Sequence, residues 1–168
     1  MQAASAWFAL TTRIHREKHV SKLLELRQFE VFLPCYHRRQ RWSDRYVNID
    51  EPFFPGYLFC HFSATEKLSI LMVPGVLSIV GIGNRPTSID DAEIASLQSV
   101  VASGLTVCAC PFVETGQRIE IRDGPLRGSQ GTVLNCSIET NRLIVSVSLL
   151  RRSVAVSIDP DWVMAAYH

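Results

Sequence analysis

The sequence contains no long run of apolar residues. No stretch approaches the length of about 18 apolar residues that a membrane-spanning helix requires, so we expect no membrane span and no membrane partner. The first residues, MQAASAWFALTTR, lack a basic start and an apolar segment, so we expect no signal peptide there. An excess of charge is also missing, since 17 basic and 16 acidic side chains give a formal net charge of +1. Any binding to nucleic acid therefore requires a local basic patch.

Cysteines are few and scattered. There are five, at Cys35, Cys60, Cys108, Cys110 and Cys136. The odd number, without an export signal, favours reduced thiols and a cytoplasmic protein. Cys108 and Cys110 form a C-x-C pair, but no second pair and no H-x3-H accompanies it. We interpret both as small apolar residues of a linker, and we predict no metal site.

The patterns typical of enzymes are missing as well. Carboxylates are scattered, and Asp90 and Asp91 are better explained as helix-capping residues. Five histidines occur without a paired cysteine or serine signature, and no glycine-rich loop precedes Lys and Ser or Thr. We therefore predict no catalytic residues, no cofactor, and a protein that is not an enzyme.

The composition is that of a globular protein, with 47% hydrophobic and 20% charged residues among 168. Up to Gly104 the chain alternates short apolar strands with helical periodicity. Strands are predicted at 7–12, on both sides of a polar tip at 42–45, at 58–62 and at 76–81, and helices at 16–29, within 64–75 and at 90–102. This order predicts a mixed sheet with helices on one face, a two-layer α+β sandwich.

The character of the sequence changes after Gly104. Residues 105–115 have no clear period and are interpreted as a linker. From 116 to 168 the helical spacing disappears, and short apolar runs alternate with turns such as Asp123-Gly124-Pro125. About 50 residues of short strands predict a small barrel of SH3-like size with a marginal core.

The segment EPFFPGYLFCHF, residues 51–62, is unusually aromatic. In a strand, Tyr57, Phe59 and His61 point to one face while the residues between them point to the other. Only one of these sets can face the core of a two-layer domain, and an exposed aromatic patch usually marks a docking surface. From the residues alone an alternative stays open, in which the Pro-Gly step is a bulge and the aromatic residues fill the core.

Two groups of basic residues are candidates for nucleic-acid contact. In the run HRRQRW, strand alternation places Arg39 and Arg41 on one face with Arg38 opposite, and Trp42 is suited to stack on a base or an arginine. The alternative is a solvated hairpin arm. The second group lies where the first strand meets the first helix, and backbone N–H groups there favour anions. It consists of Arg13, His15, Arg16 and Lys18.

The segment GQRIEIRDGPLRGSQGTV, residues 116–133, resembles a KOW motif. Gly124 and Gly128 allow tight backbone turns, and Gly131 suits a bend in a strand. The positions that carry the motif are Gly116, Arg118, Gly124, Pro125, Gly128, Gly131 and Val133.

The order of the motifs resembles the NusG family of transcription elongation factors. WFALTT, E-K-x-V on the first helix, VFLP, PFFPGYLF, VPGV and the KOW module follow one another over about residues 6–166. PCYHRRQRW and LLRRSVAVSID are most similar to specialised paralogues of the UpxY and RfaH kind, associated with polysaccharide gene clusters. The resemblance implies a ferredoxin-like N-terminal NusG domain at 1–104, the linker at 105–115, and an SH3-like KOW domain at 116–168.

The resemblance also implies a function. It predicts a factor that binds the clamp helices of RNA polymerase and promotes processive elongation and antitermination of specific operons. The residues implied in polymerase binding are Trp7, Phe54, Pro55, Tyr57 and Phe59. The residues implied in contact with non-template DNA are Arg13, His15, Arg16, Arg39 and Arg41. The KOW domain is implied to recruit either Rho or a small-subunit ribosomal protein.

One alternative function stays open at this point. A KOW-type protein that binds RNA or the ribosome without RNA polymerase does not require an aromatic docking surface. The polymerase-binding hypothesis requires Phe54 and Tyr57 to be exposed, so their exposure distinguishes the two.

Overall fold

The structure is a computed structural model, and it describes residues 4–110, 117–136, 140–157 and 163–164. Contacts between residues divide the chain into two units, and the boundary along the sequence lies between Ile89 and Asp90. The change in sequence character predicts a boundary after Gly104 instead. The two units are described one at a time.

The first unit contains a β-α-β-β-α-β path with two additional hairpins. Its elements are β1 (Ser5–Thr12), α1 (Glu17–Leu26), β2 (Glu30–Phe32), β3 (Cys35–Trp42), β4 (Arg45–Pro52), β5 (Tyr57–Ser63), α2 (Lys67–Leu71), β6 (Val76–Ile79), β7 (Gly81–Ile82) and β8 (Arg85–Pro86). Strands β2, β5, β1 and β6 form one antiparallel sheet in that order. The path and the strand order correspond to the ferredoxin-like arrangement that the family resemblance implies. The mixed sheet predicted from the order of elements is wrong, because each of these pairings is antiparallel.

One face of this sheet forms a core with both helices. Val20 and Leu24 of α1 and Ile70 of α2 are fully buried there, because these apolar residues recur on one side of each helix. Helix α1 is shorter than the predicted 16–29. It ends at Leu26, and Gln28 beyond it has a φ of 66°, which is incompatible with a continuing α-helix. The buried members of the core are Phe8, Leu10, Val20, Leu24, Leu58, Cys60, Phe62, Ile70 and Val73.

The second unit combines one helix with an antiparallel sheet. Its elements are α3 (Asp91–Ser103), β9 (Val107–Cys110), β10 (Gln117–Ile121), β11 (Gln130–Cys136), β12 (Thr140–Val147), β13 (Arg152–Ser157) and β14 (Val163–Met164). The strand order is β14-β10-β11-β12-β13-β9. Among the described strands no pairing joins β9 to β14, so the closed SH3-like barrel expected from the sequence is not confirmed.

Two elements near the predicted linker belong to this second unit. Helix α3 contacts β11 and β12, and the Ser96 hydroxyl accepts a hydrogen bond from the N–H of Gln130 at 3.3 Å. Residues 107–110, predicted as part of a linker, form a strand that pairs with β13. Linker positions 105 and 106 have neither helix nor strand structure, and positions 111–115 lie outside the described residues.

Helix α3 begins at the capping residue that the sequence predicted. The Asp90 carboxylate accepts the N–H of Ala92 at 2.9 Å, and Gly104 ends the helix with a left-handed φ of 67°. We expect Asp90→Ala to lower the free energy of unfolding in urea by about 1 kcal/mol, because this N–H loses its acceptor. Asp90→Asn is the matched control, since it keeps the acceptor and should retain most of the stability. An equal loss in both variants would contradict the capping role.

Candidate docking surface and nucleic-acid interface

The sheet of the first unit has a second face opposite its core. Alternate residues of β5 enter the core, while Tyr57, Phe59 and His61 lie on the other side. The register with β1 places Trp7 opposite His61 and Thr11 opposite Tyr57. We call the side of the sheet that carries these five residues the outer face. It is the face that the sequence analysis assigned to docking.

The aromatic centre of the outer face is nevertheless buried, whereas Thr11, Tyr57 and His61 are half-buried. Phe59 is inaccessible to solvent, and only 8% of Trp7 is exposed. The ring of Phe54 contacts Phe59 edge to face, with centroids 6.0 Å apart, and is itself only 2% exposed. The expectation that Phe54 is exposed is therefore wrong. Phe59 and Trp7 are buried as well, and the part of all three residues in polymerase binding stays a prediction. Edge-to-face packing adds to the gain from burial and explains why these rings cluster.

A tight turn places Phe54 over the sheet and leads into Tyr57. The carbonyl of Phe54 accepts the N–H of Tyr57 at 3.0 Å. Between them lie Pro55, which is exposed, and Gly56, whose φ is 83°. Proline followed by a residue of positive φ is the requirement of a type II turn, which explains the Pro-Gly step. The turn leaves Tyr57 half-buried, so part of its ring is accessible.

Glu17 fixes this turn, and the sequence analysis assigned it no role. It lies in the first turn of α1 with 3% of its surface exposed, and its Oε1 accepts the N–H of Gly56 at 2.7 Å. The carbonyl of Gly56 accepts the N–H of Thr12 at 2.8 Å. A glutamate at the start of a helix is ordinarily explained by the helix dipole. Nothing in the sequence therefore indicated its contact with a residue 39 positions away.

An open pocket of about 620 Å³ lies beside Tyr57 in the first unit. Its lining combines apolar side chains with two cations and includes Tyr57, Lys67, Leu71, Leu77, Ser78 and Arg85. The hydroxyls of Thr11 and Ser78, both in contact with this pocket, are 2.6 Å apart and share a hydrogen bond. Accessible surface on the outer face thus lies at Tyr57, Thr11 and His61, whereas Phe54 is buried.

Among the described strands, β3 and β4 pair only with each other, and they form a hairpin that we call the arm (35–52). The register confirms the predicted faces: Arg39 and Arg41 lie on one side, with Arg38 on the other. The guanidinium of Arg39 lies over the ring of Tyr46, 4.4 Å from its centroid, a cation–π contact. Trp42, near the tip, is 55% exposed.

The second basic group is at the junction of β1 and α1. Arg13, His15 and Arg16 are all exposed, as is Lys18 at the start of α1. His15 has a φ of 69°, and the N–H of Arg16 bonds to the carbonyl of Arg13 at 3.0 Å, so the junction is a tight turn. Within the described part of the chain, no carboxylate lies at ion-pair distance from these three residues or from Arg39 and Arg41.

The KOW-like segment is described in part. Gly124 and Gly128 have φ values of 74° and 83°, which confirms their predicted place in turns. The N–H of Gly128 donates to the carbonyl of Ile121 at 2.7 Å, and Gly131 pairs with Ile119 within the sheet. Pro125 is exposed, and Arg118 and Val133 lie in strands β10 and β11. Gly116 lies outside the described residues.

The cysteines of the first unit are ordinary thiols. Burial raises the pKa of Cys60 to about 12 and also raises the pKa of Cys35. Neither therefore offers the thiolate that metal binding or nucleophilic chemistry requires at neutral pH. Cys108 and Cys110 lie in β9, and Cys136 ends β11. Across the described ranges, no group of three or more potential ligands is placed to hold a metal ion, and no helix has the length and apolarity to cross a bilayer.

Comparisons with known proteins give one consistent result. The family profile described as "Transcription termination factor nusG" matches residues 5–98. The chain is 28% identical to transcription termination/antitermination protein NusG of Buchnera aphidicola subsp. Baizongia pistaciae (strain Bp), over 95% of this chain and 90% of that protein. It is 30% identical to NusG of Vibrio cholerae serotype O1 (strain ATCC 39315 / El Tor Inaba N16961), over 77% of this chain and 74% of that protein.

A solved structure supports the fold. The structure titled "Domain interaction in Thermotoga maritima NusG" matches with a TM-score of 0.58 at 18% identity, covering 98% of both chains. The family profile and the curated relatives identify a NusG-like transcription termination/antitermination factor. The chain belongs to the NusG family, because the family profile covers more than half of it.

Proposed function

We propose that this protein is a transcription elongation and antitermination factor that binds the clamp helices of RNA polymerase. Membership of the NusG family supports the proposal together with one structural observation, the accessible Tyr57 ring beside the open pocket. The mechanism is tethering without chemistry. The first unit docks on the clamp helices, bridges the cleft around the DNA, holds the clamp closed, and so disfavours pausing.

The pocket at Tyr57 has the chemistry of a docking site for an amphipathic helix. Leu71 and Leu77 provide apolar surface, and Tyr57 provides the kind of aromatic anchor that often dominates binding energy. Lys67 and Arg85 favour a partner with acidic residues beside its apolar ones. Phe54, Phe59 and Trp7 then have a supporting role, because their packing determines where Tyr57 lies.

The basic groups provide the DNA contacts in this proposal. Arg13, His15 and Arg16 at the junction, and Arg39 and Arg41 on the arm, contact phosphates of the non-template strand. A net charge of +1 generates no long-range attraction, so these contacts depend on docking for a high local concentration of DNA.

The finer assignment concerns regulation. We propose a specialised paralogue of the UpxY and RfaH kind, acting on particular operons such as polysaccharide gene clusters, on the strength of PCYHRRQRW and LLRRSVAVSID. The KOW-like segment of the second unit recruits the second partner, either Rho or a small-subunit ribosomal protein.

The test is a titration of core RNA polymerase with Tyr57→Ala. We expect a loss of about 2 kcal/mol, roughly thirtyfold in Kd, because a central aromatic anchor is removed. Tyr46→Ala is the matched control, since it removes the same ring from the arm, 59% exposed and absent from the pocket lining. Unchanged affinity of a folded Tyr57→Ala variant, checked by circular dichroism, would exclude docking at this pocket.

A further inference from the structure

We infer that the arm binds single-stranded nucleic acid by stacking an unpaired base on Trp42 while its distal arginines hold the adjacent phosphates. The inference rests on the proposed function in one respect, that the bound nucleic-acid strand is one exposed during transcription. It adds a recognition chemistry, base stacking, to the phosphate contacts proposed above, and it assigns that chemistry to one side chain.

The shape of the arm exposes its distal half to a partner. Eight residue pairs join β3 to β4, from Cys35 opposite Pro52 to Trp42 opposite Arg45, a ribbon of roughly 27 Å at about 3.4 Å per residue. Every residue from 37 to 46 is exposed. An aromatic side chain in this half therefore adds nothing to a hydrophobic core.

The two exposed aromatic residues of the arm differ in what they contact. The ring of Tyr46 is already covered on one side by the guanidinium of Arg39. Among the described residues, no ring or guanidinium stacks on Trp42. Trp42 is 55% exposed at the end of a projecting ribbon and has no stacking partner among the described residues, so it has indole surface available to a base.

The ion pairs of the arm lie towards its base, and Asp44 adds a carboxylate at its tip. His37 is at ion-pair distance from Asp50, and Arg38 pairs with Glu51. Towards the tip, the arginines have no carboxylate at ion-pair distance within the described ranges. They are Arg39, Arg41 and Arg45.

Trp42 and Arg45 are directly opposite each other in the ladder, so their side chains lie on the same face of the arm. An aromatic plane beside a cation matches one nucleotide, the base on Trp42 and its phosphate at Arg45. Arg39 and Arg41, on the other face, are placed to hold phosphates as a flexible strand passes around the edge of the arm. A duplex hides its base faces, so this arrangement favours a single strand.

The experiment measures binding of a fluorescently labelled single-stranded DNA to the whole protein by anisotropy, without polymerase. We expect Trp42→Ala to weaken binding by about tenfold, since stacking contributes about 1–3 kcal/mol per base. Trp42→Phe should retain most of the affinity. A strand with abasic sites keeps the phosphates and removes the bases, so wild type should lose affinity for it while Trp42→Ala should not.

The arginines are tested by the salt dependence of the same binding. Replacing Arg39, Arg41 and Arg45 by glutamine should reduce the slope of log K against log salt by about 2, because each lost contact to a single strand contributes about 0.7. Lys22→Gln, which removes one exposed cation from α1 outside the arm, is the control and should leave the slope nearly unchanged.

Several outcomes would overturn the inference. The first two are equal affinity of wild type and Trp42→Ala for the single strand, and equal affinity of wild type for the normal and the abasic strand. The other two are equal affinity of wild type for duplex and single-stranded DNA, and full displacement of the DNA by a glutamate-rich peptide from both wild type and Trp42→Ala. RNA of the same sequence shows which nucleic acid is preferred, and Trp42-dependent binding of either supports the inference. Tyr57→Ala should bind the strand normally, so failure of polymerase docking and failure of stacking are distinguishable.

Discussion

Replacing Phe54 by alanine should lower the free energy of unfolding by about 3–5 kcal/mol, the range for large aromatic residues removed from a core. The ring is 2% exposed and packs at 6.3 Å from Phe53 and 6.0 Å from Phe59, measured between centroids. Truncation leaves a cavity that these stiff neighbours fill only partly. Urea denaturation followed by circular dichroism measures the loss.

The control for this experiment is an aromatic residue that makes no core contact. Tyr46→Ala removes a ring that is largely exposed on the arm, and we expect a change within about 0.5 kcal/mol. If Phe54→Ala were as stable as the wild type but bound polymerase weakly, Phe54 would be a docking anchor after all. The structure instead favours a stability defect, with any weaker binding following from the misplaced turn.

The difference between prediction and structure at Phe54 has a physical reason. Alternation along β5 predicted which side chains leave the core, and the register with β1 confirms that assignment. Alternation contains no information about what then covers the outer face. The type II turn folds Phe54 back onto Phe59, a contact that depends on the turn geometry rather than on the period of the strand.

Helix α3 illustrates a similar limit. Its capping residue and its end at Gly104 were predictable because capping is local chemistry. The unit to which α3 belongs was not predictable, because apolar spacing indicates which side of a helix is buried but not which sheet buries it. Strand β9 was interpreted as a linker for the same reason, because a four-residue strand has too short a pattern to separate it from an extended connection.

The arm shows where sequence reasoning is most effective. Its faces were predicted from alternation alone, because the continuous ladder between β3 and β4 keeps the local period of both strands. The contact between Arg39 and Tyr46 was not predicted, since it depends on the register of β3 with β4. Register is set by the turn and by pairing along the ladder, and neither follows from counting residues in one strand.

The second large effect is expected at Glu17. Glu17→Ala should lower the free energy of unfolding by about 2–4 kcal/mol, because the buried N–H of Gly56 loses its acceptor and the side-chain volume is left empty. Glu17→Gln keeps an oxygen that can accept this hydrogen bond and should retain most of the stability. Glu25→Ala is the matched control on the same helix, because Glu25 is exposed. Its carboxylate accepts a hydrogen bond from the nearby Ser21 hydroxyl at 3.1 Å.

Glu17→Ala should also weaken polymerase binding, although Glu17 is buried and offers almost no surface to a partner. The reason is positional, since the hydrogen bond to Gly56 fixes the turn that leads into Tyr57. The affinity is therefore measured at a temperature where circular dichroism shows the variant to be folded, and Glu17→Gln should restore it. If folded Glu17→Ala bound polymerase as tightly as Glu25→Ala, the hydrogen bond would stabilise the fold without positioning Tyr57, and docking would not depend on the geometry of the turn.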